Sequence, residues 1–268
     1  MKPTDYFATH PIFRLEDFVA AHGEGKVHKP GASQSVLKQH VRAGNLIHLR
    51  RGLYAVVPKG VDPKTLEIDS YLMASHAAPD SVIAYHAALQ LQGKTYSLSR
   101  RFTYLTCTLA KPFHFQGAEF VPVSMPPTLR ELPDAGGGII SVTHAGLPVL
   151  VTSLERTLVD VLDAPRHGGG WEEIWRSLES VEFFDVDAVT EYALKLGSAV
   201  TIAKVGFFLD QHREELMLED IHLERLKEHA PRQPMYLDRT KRESGKLIKG
   251  WNLIVPEHVL TMSWAEVA

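Results

Sequence analysis

Three observations predict an α+β protein in two parts, with a small basic helical unit preceding a larger mixed α/β body. The chain has 268 residues, more than the ~150 of one typical domain. Residues 1–60 hold nine basic and four acidic side chains, a net of +5, so the rest carries −8 within the total of −3. The apolar pattern also changes along the chain, from a helix–turn–helix–hairpin order to strand-like segments cut by Pro and Gly, and then to helices.

Composition narrows the class. With 44% hydrophobic and 23% charged residues the chain has the balance of a globular protein. Its longest apolar runs, such as 146–151, fall far short of the ~18 residues that span a bilayer. After Lys2 come Thr4, Asp5 and His10, which is not the apolar core of a secretory signal. Cys107 is the single cysteine, so no internal disulfide is expected and a cytoplasmic location is the default.

The elements follow in order. Residues 15–22 carry Leu15, Phe18, Val19 and Ala20 on a short helical face, stopped by Gly23-Glu24-Gly25. After the turn Lys29-Pro30-Gly31, residues 33–43 place Val36, Leu37 and Val41 on one stripe, with Gly44 at the left-handed position that ends a helix. Two β-like runs, 45–49 and 53–57, are joined by Arg50-Arg51-Gly52. The segment 58–63, with two prolines and a glycine, reads as a linker, giving domains at 1–62 and 63–268. Beyond it, helices are expected at 66–78 and 82–92, and strands at 101–109, 114–123, 139–143 and 148–151. Further helices are expected at 154–162, 171–181, 186–196, 199–212 and 223–228, with strand character returning at 235–237 and 247–255.

The first unit has the layout of a winged helix-turn-helix. Its second helix opens at Ser33 and opposes its apolar stripe with Gln34, Ser35, Lys38, Gln39 and Arg42. Gln pairs bidentately with adenine and Arg with guanine, while Ser and Lys hold phosphates. Arg50 and Arg51 stand where a wing would reach the DNA backbone. The bland alternative is a solvated helix beside a hairpin with a charged tip.

Three motifs carry a family resemblance. Gly44-Asn45-Leu46-Ile47-His48-Leu49-Arg50-Arg51-Gly52-Leu53-Tyr54 resembles the wing of AbiEi-type antitoxins. Val82-Ile83-Ala84-Tyr85-His86-Ala87-Ala88-Leu89 is similar to that family's Ser-His-x-Ser-Ala-Leu helix, with Tyr85 and Ala87 in place of the serines. Val151-Thr152-Ser153-Leu154-Glu155-Arg156-Thr157-Leu158-Val159-Asp160 resembles its Thr-Pro-Glu-Arg-Thr-Leu-x-Asp segment, with Leu154 for proline, and Gly169-Gly170 follows. The resemblance implies a winged helix that binds repeats in the promoter of its own operon. It also implies an α+β antitoxin domain that opposes a nucleotidyltransferase-type toxin without a stable complex.

Other chemistry finds little support. Thr152 and Glu155 read as a capping box, and Arg156 and Asp160 as an (i, i+4) pair on the helix it opens. No histidine pair has zinc-protease spacing and no cysteine cluster exists, so neither metal nor cofactor is expected. His76 and His86 read as surface or internally paired histidines. Gly136-Gly137-Gly138 and Gly168-Gly169-Gly170 lack the Lys-Ser/Thr of a phosphate loop. Nuclease-like Glu24-Gly25-Lys26 and Asp62-Pro63-Lys64 lie in broken turns, and Gly197-Ser198 is followed by no acid, so catalysis is not expected. Cys107 sits in an apolar run and reads as a buried, inert thiol. Residues 232–249 carry a net +4, either a solvated hairpin or a second nucleic-acid surface. The resulting expectation is a DNA-binding antitoxin. Its rivals are a module that neutralises a partner by direct contact and a solitary regulator.

Overall fold

The computed structural model describes residues 2–23, 30–238 and 240–262. Glu24-Gly25-Lys26 and Lys29, to which turns and a nuclease-like triplet were assigned, lie outside the described residues, as does Arg239.

The first unit runs α1 (Pro3–Thr9), β1 (Ile12–Arg14), α2 (Leu15–Gly23), α3 (Pro30–Arg42), β2 (Leu46–Arg50) and β3 (Leu53–Val56). Its antiparallel sheet has the order β1-β3-β2. Alternation along the strands sends Phe13, Leu46 and Tyr54 to one face, where they meet Tyr6, Phe7, Phe18 and Leu37 in an aromatic core. The rings of Tyr6 and Phe13 cross edge to face at 5.3 Å, as do those of Tyr6 and Phe18. The sequence reading missed α1 and β1. At seven residues α1 is too short to form alone, and it is held by burial of Tyr6 and Phe7.

The opposite face of this sheet is also covered. Ile12, Leu49, Leu53 and Ala55 join a second core with Leu72, Met73, Ile83, Phe102, Phe120 and Val151 from the body. One bulge decides the hairpin's geometry. The register shifts between His48 and Arg50, so that Arg50 pairs with Leu53 and shares its body-facing side. An inserted residue in a strand re-aims the side chain that follows it. Gly52 supplies the turn with a φ of +80°.

The body is built on a six-stranded mixed sheet. It contains β4 (Val82–Ile83), β5 (Arg101–Thr106), β6 (Phe113–Phe115), β7 (Ala118–Ser124), β8 (Ile139–His144) and β9 (Leu147–Thr152), in the order β6-β7-β5-β4-β9-β8. One face lies on α4 (Ser70–Ser75) and the N-terminal sheet. The other lies on a helical layer, α7 (Leu154–Asp163), α8 (Trp171–Glu179), α9 (Val186–Leu196) and α10 (Ala199–Gln211). β4 divides the two cores, with Val82 in the helical one and Ile83 in the other. α5 (His86–Leu91) contributes to both, with Leu89 in the helical core and Ala87 and Ala88 in the other, and α6 (Pro127–Arg130) buries Leu129 in the helical one. The chain ends with α11 (Asp220–Lys227), a sheet of β10 (Met235–Tyr236), β12 (Leu253–Pro256) and β11 (Gly245–Ile248) in that order, and α12 (Glu257–Leu260). Trp251 packs against α10, where a Cβ on Gly206 would come within 2.2 Å of its ring.

Four expected elements are corrected. The helix expected at 66–78 contracts to α4, opened by Asp69, whose carboxylate accepts from the Leu72 N–H at 2.9 Å. The helix expected at 82–92 becomes β4 and α5, broken at Tyr85 with a φ of +59°. The strand expected at 114–123 is a hairpin, β6 and β7, turning at Gln116 and Gly117, both with positive φ. The strand expected at 247–255 is likewise two strands, β11 and β12, with Asn252 at a φ of +49°. Cys107 is also corrected, since it is exposed just past the end of β5.

Candidate nucleic-acid interface

α3 carries no acidic residue in its thirteen positions. Leu37 is fully buried, and Val36 and Val41 are half-buried against the aromatic core, which orients the helix. Gln34, Ser35, Lys38, Gln39 and Arg42 are exposed. Ser33 is not. It is 8% exposed and turned inward, so the expected phosphate contact there is corrected. The Ser35 hydroxyl donates to the Gly31 carbonyl at 2.9 Å, a bond within its own helix.

The two arginines of the β2–β3 hairpin part company. Arg51 is exposed at the tip, whereas the bulge turns Arg50 back onto the body, its guanidinium 4.7 Å from the Phe113 ring centroid. Its Nη1 is buried without a partner. Burial raises the pKa of the neighbouring Tyr104, and the Arg50 charge opposes that rise.

Gln34 and Lys38 line a groove of about 770 Å³ between α3, the hairpin and the body loops. His48, Arg50 and Arg51 line the hairpin side, and His76 and Leu109 stand on the body side. Glu16 is the one acid among the described lining residues. Arg14 also lines the groove, but Asp17 accepts from its Nε at 2.9 Å and from its Nη2 at 2.7 Å. Gln39 and Arg42 lie outside this groove, on the solvent side of α3. Sequence reasoning did not select Arg14, His48 or His76. Only the alternation of β2, which puts His48 on the side of Tyr54 with rings 5.2 Å apart, hinted at the second.

The Thr152–Asp160 motif is structural in its contacts. The cap is Ser153, whose side chain accepts from the Arg156 N–H at 3.3 Å, while the Thr152 and Thr157 hydroxyls bond each other at 2.7 Å. The cap therefore sits one residue later than expected, and the Ser153 N–H donates to the Gly138 carbonyl and not to the Arg156 side chain, so the expected capping box is corrected to a single-sided cap. Arg156 is fully buried and donates to the carbonyls of Ala135 at 3.0 Å and Gly137 at 2.7 Å. It meets Asp160 at 3.4 Å, and the Tyr192 hydroxyl donates to the same carboxylate at 2.7 Å. Burial pushes Asp160 up to about 6 against the pull of Arg156.

His86 is buried, its Nε2 3.0 Å from Glu173, so it is the internally paired histidine expected. Of the basic segment, Arg232, Lys241, Arg242, Lys246 and Lys249 are exposed, Lys246 on the edge strand β11. No three His, Cys, Asp or Glu side chains among the described residues are placed to hold a metal ion. No described helix is long and apolar enough to cross a membrane.

No protein-family model matches the chain, and no curated protein does. A solved structure does. The crystal structure of RV2827C protein from Mycobacterium tuberculosis aligns with a TM-score of 0.62 over 99% of this chain and 93% of that one, at 15% identity. The chain shares that mixed α/β fold, and at this identity the likeness extends to the fold alone.

Proposed function

We infer that the protein is a cytoplasmic DNA-binding antitoxin that represses its own operon by occupying repeats in the promoter. It opposes a nucleotidyltransferase-type toxin through its body, without catalysis and without a stable complex. In this reading residues 1–62 are a winged helix-turn-helix, with α3 as the reading helix and the β2–β3 hairpin as the wing. The body, 63–268, is the antitoxin domain. The observation that carries the DNA half is the acid-free, exposed face of α3 beside Arg51. Gln34 and Gln39 suit base edges, and Ser35, Lys38, Arg42 and Arg51 suit phosphates. Ser33 and Arg50 take no part. The antitoxin half rests on the three motifs at 44–54, 82–89 and 151–160.

The test is binding of the full chain to duplexes from its own promoter and to scrambled duplexes over a salt series. Promoter preference, with a salt slope that falls by about one on Lys38→Ala, supports the reading. Equal affinity for both duplexes removes it. Rescue of cells that express the nucleotidyltransferase of the adjacent gene tests the antitoxin half. The direct-contact alternative gains from Phe183 and Met217, which are 72% and 81% exposed on the acidic helical side. Co-purification of a toxin would favour it. If no toxin gene is adjacent, the solitary regulator is the reading that stands.

A further inference from the structure

A second polar cleft lies on the far side of β5, remote from α3. Its inner chamber, about 230 Å³, is lined by His86, Ser97, Arg101, Arg166, His167 and Glu173 among others. It shares Arg101, Arg166 and Gly169 with a larger chamber of about 770 Å³ that extends past Trp171 and Lys204.

The carboxylate in the inner chamber is already satisfied. Glu173 accepts from the Ser97 N–H at 3.0 Å, the Ser97 hydroxyl at 2.6 Å, the Ser177 hydroxyl at 3.0 Å and His86 Nε2 at 3.0 Å. Burial would raise its pKa, but these bonds hold it below the ordinary carboxylate value. Two ring nitrogens in the same chamber are not satisfied. Nδ1 of His86, on a side chain only 7% exposed, is buried without a partner and, with the ring proton on the Nε2 that donates to Glu173, is an acceptor; Nδ1 of His167 is also buried without a partner. Arg166 Nε donates to His167 Nε2 at 3.1 Å, which puts the His167 proton on Nδ1. Burial, with Arg166 and Arg101 adding to it, pushes the His167 pKa down to about 4, so the ring is a neutral donor at physiological pH.

The cationic groups are less committed. Arg166 is exposed, and Arg101 meets Glu119 only at 3.5 Å, with both side chains open to water. α8 begins at the wall of the cleft on Gly170, with no side chain capping its first N–H groups. Glu172 in that first turn is turned to Arg176 at 3.1 Å. Arg101 and Arg166 therefore line both chambers, the uncapped start of α8 adds backbone N–H groups at the wall of the larger one, and the acid of the inner chamber is internally neutralised. Such a set of donors fits a tetrahedral oxyanion.

We propose that this cleft binds a small phosphate monoester, its phosphate between Arg101 and Arg166 and its organic part in the larger chamber beyond Gly169. The proposal does not depend on the DNA-binding reading, since none of these residues lies on α3 or the hairpin.

The experiment is isothermal titration of the full chain, in phosphate-free buffer, with inorganic phosphate, adenosine 5′-monophosphate and adenosine. Adenosine monophosphate is expected to bind more tightly than inorganic phosphate, and adenosine not at all. In the double variant Arg101→Gln, Arg166→Gln binding should weaken roughly tenfold or more, with an unchanged melting temperature, because charge-assisted hydrogen bonds are lost. NMR of the imidazole groups should show the His86 and His167 resonances moving with the monophosphate in the wild type. Absence of binding by either phosphate compound overturns the proposal, as does binding of adenosine as tight as its monophosphate or full affinity in the double variant. The double variant should also keep its affinity for promoter DNA. A loss there would make the cleft a contact for nucleic-acid backbone instead.

Discussion

Adjacent in sequence and both basic, Arg50 and Arg51 should behave as opposites on substitution. Arg50 lies half-buried over Phe113 at 4.7 Å, turned there by the bulge, while Arg51 is exposed at the tip. A cation–π contact is worth ~0.5–1 kcal/mol in water and about 2 kcal/mol when desolvated, and half-burial places Arg50 between, at roughly 1–2 kcal/mol. A chain of this size loses about 2–4 °C of melting temperature per kcal/mol, so Arg50→Ala should melt roughly 2–8 °C lower. Arg51→Ala removes an exposed side chain and should leave stability within ~0.5 kcal/mol. On promoter DNA the order reverses. Arg51→Ala should reduce the slope of log affinity against log salt by about 0.9, one phosphate contact, and Arg50→Ala should leave it unchanged. The assay pairs thermal melts with anisotropy titrations at several salt concentrations. An Arg50→Ala protein that melts like wild type and has a shallower salt slope would refute the assignment of both residues.

Three further outcomes are expected. His167 is depressed from 6.5 to about 4 in the folded protein, so it contributes stability that is present above pH ~6.5 and lost as pH falls toward about 4, on the order of 2–3 kcal/mol; in His167→Gln, melting curves over that window should lose this component, and an unchanged pH dependence would count against it. A fragment ending at Pro63 uncovers Ile12, Leu49, Leu53 and Ala55, so it should self-associate or bind a hydrophobic dye in sedimentation and fluorescence measurements, where a monodisperse, dye-free monomer would be the contrary result. Gly206→Ala puts a methyl group within 2.2 Å of the Trp251 ring and should cost ~1–3 kcal/mol in denaturant titrations, whereas wild-type stability would mean the ring moves freely.

The legible parts of this chain were those in which local pattern and tertiary environment agree. Residues 186–196 match α9 to the residue because an Asp185 cap, an apolar stripe and Gly197 all mark the same segment. The hairpins at 113–124 and 245–256 were read as single strands because their turns use Gln116 and Asn252 in left-handed conformations, with weaker turn signals than Asn-Gly or Pro-Gly. At the candidate interface the polar face of α3 was visible from its spacing. Ser33 was misjudged because a short hydroxyl at a helix start reads the same whether it faces water or a core. The half-burial of Arg50 over Phe113 was not legible because a bulge leaves no trace in the alternation of a five-residue strand. The second cleft was invisible for a plainer reason: His86 and Glu173 are 87 positions apart, and only the packed fold brings them together.

The sheet of the first unit has no free face, with aromatic helices on one side and the body on the other. The angle of α3 to the six-stranded sheet is therefore fixed by side-chain packing and not by the length of the segment at 58–63. On the proposed reading, if two copies sit on paired repeats, the distance between their reading helices is set by how the bodies meet. Operator spacing would then be encoded far from any residue that touches a base. A substitution at a body–body contact would change which repeats are recognised while leaving α3 intact.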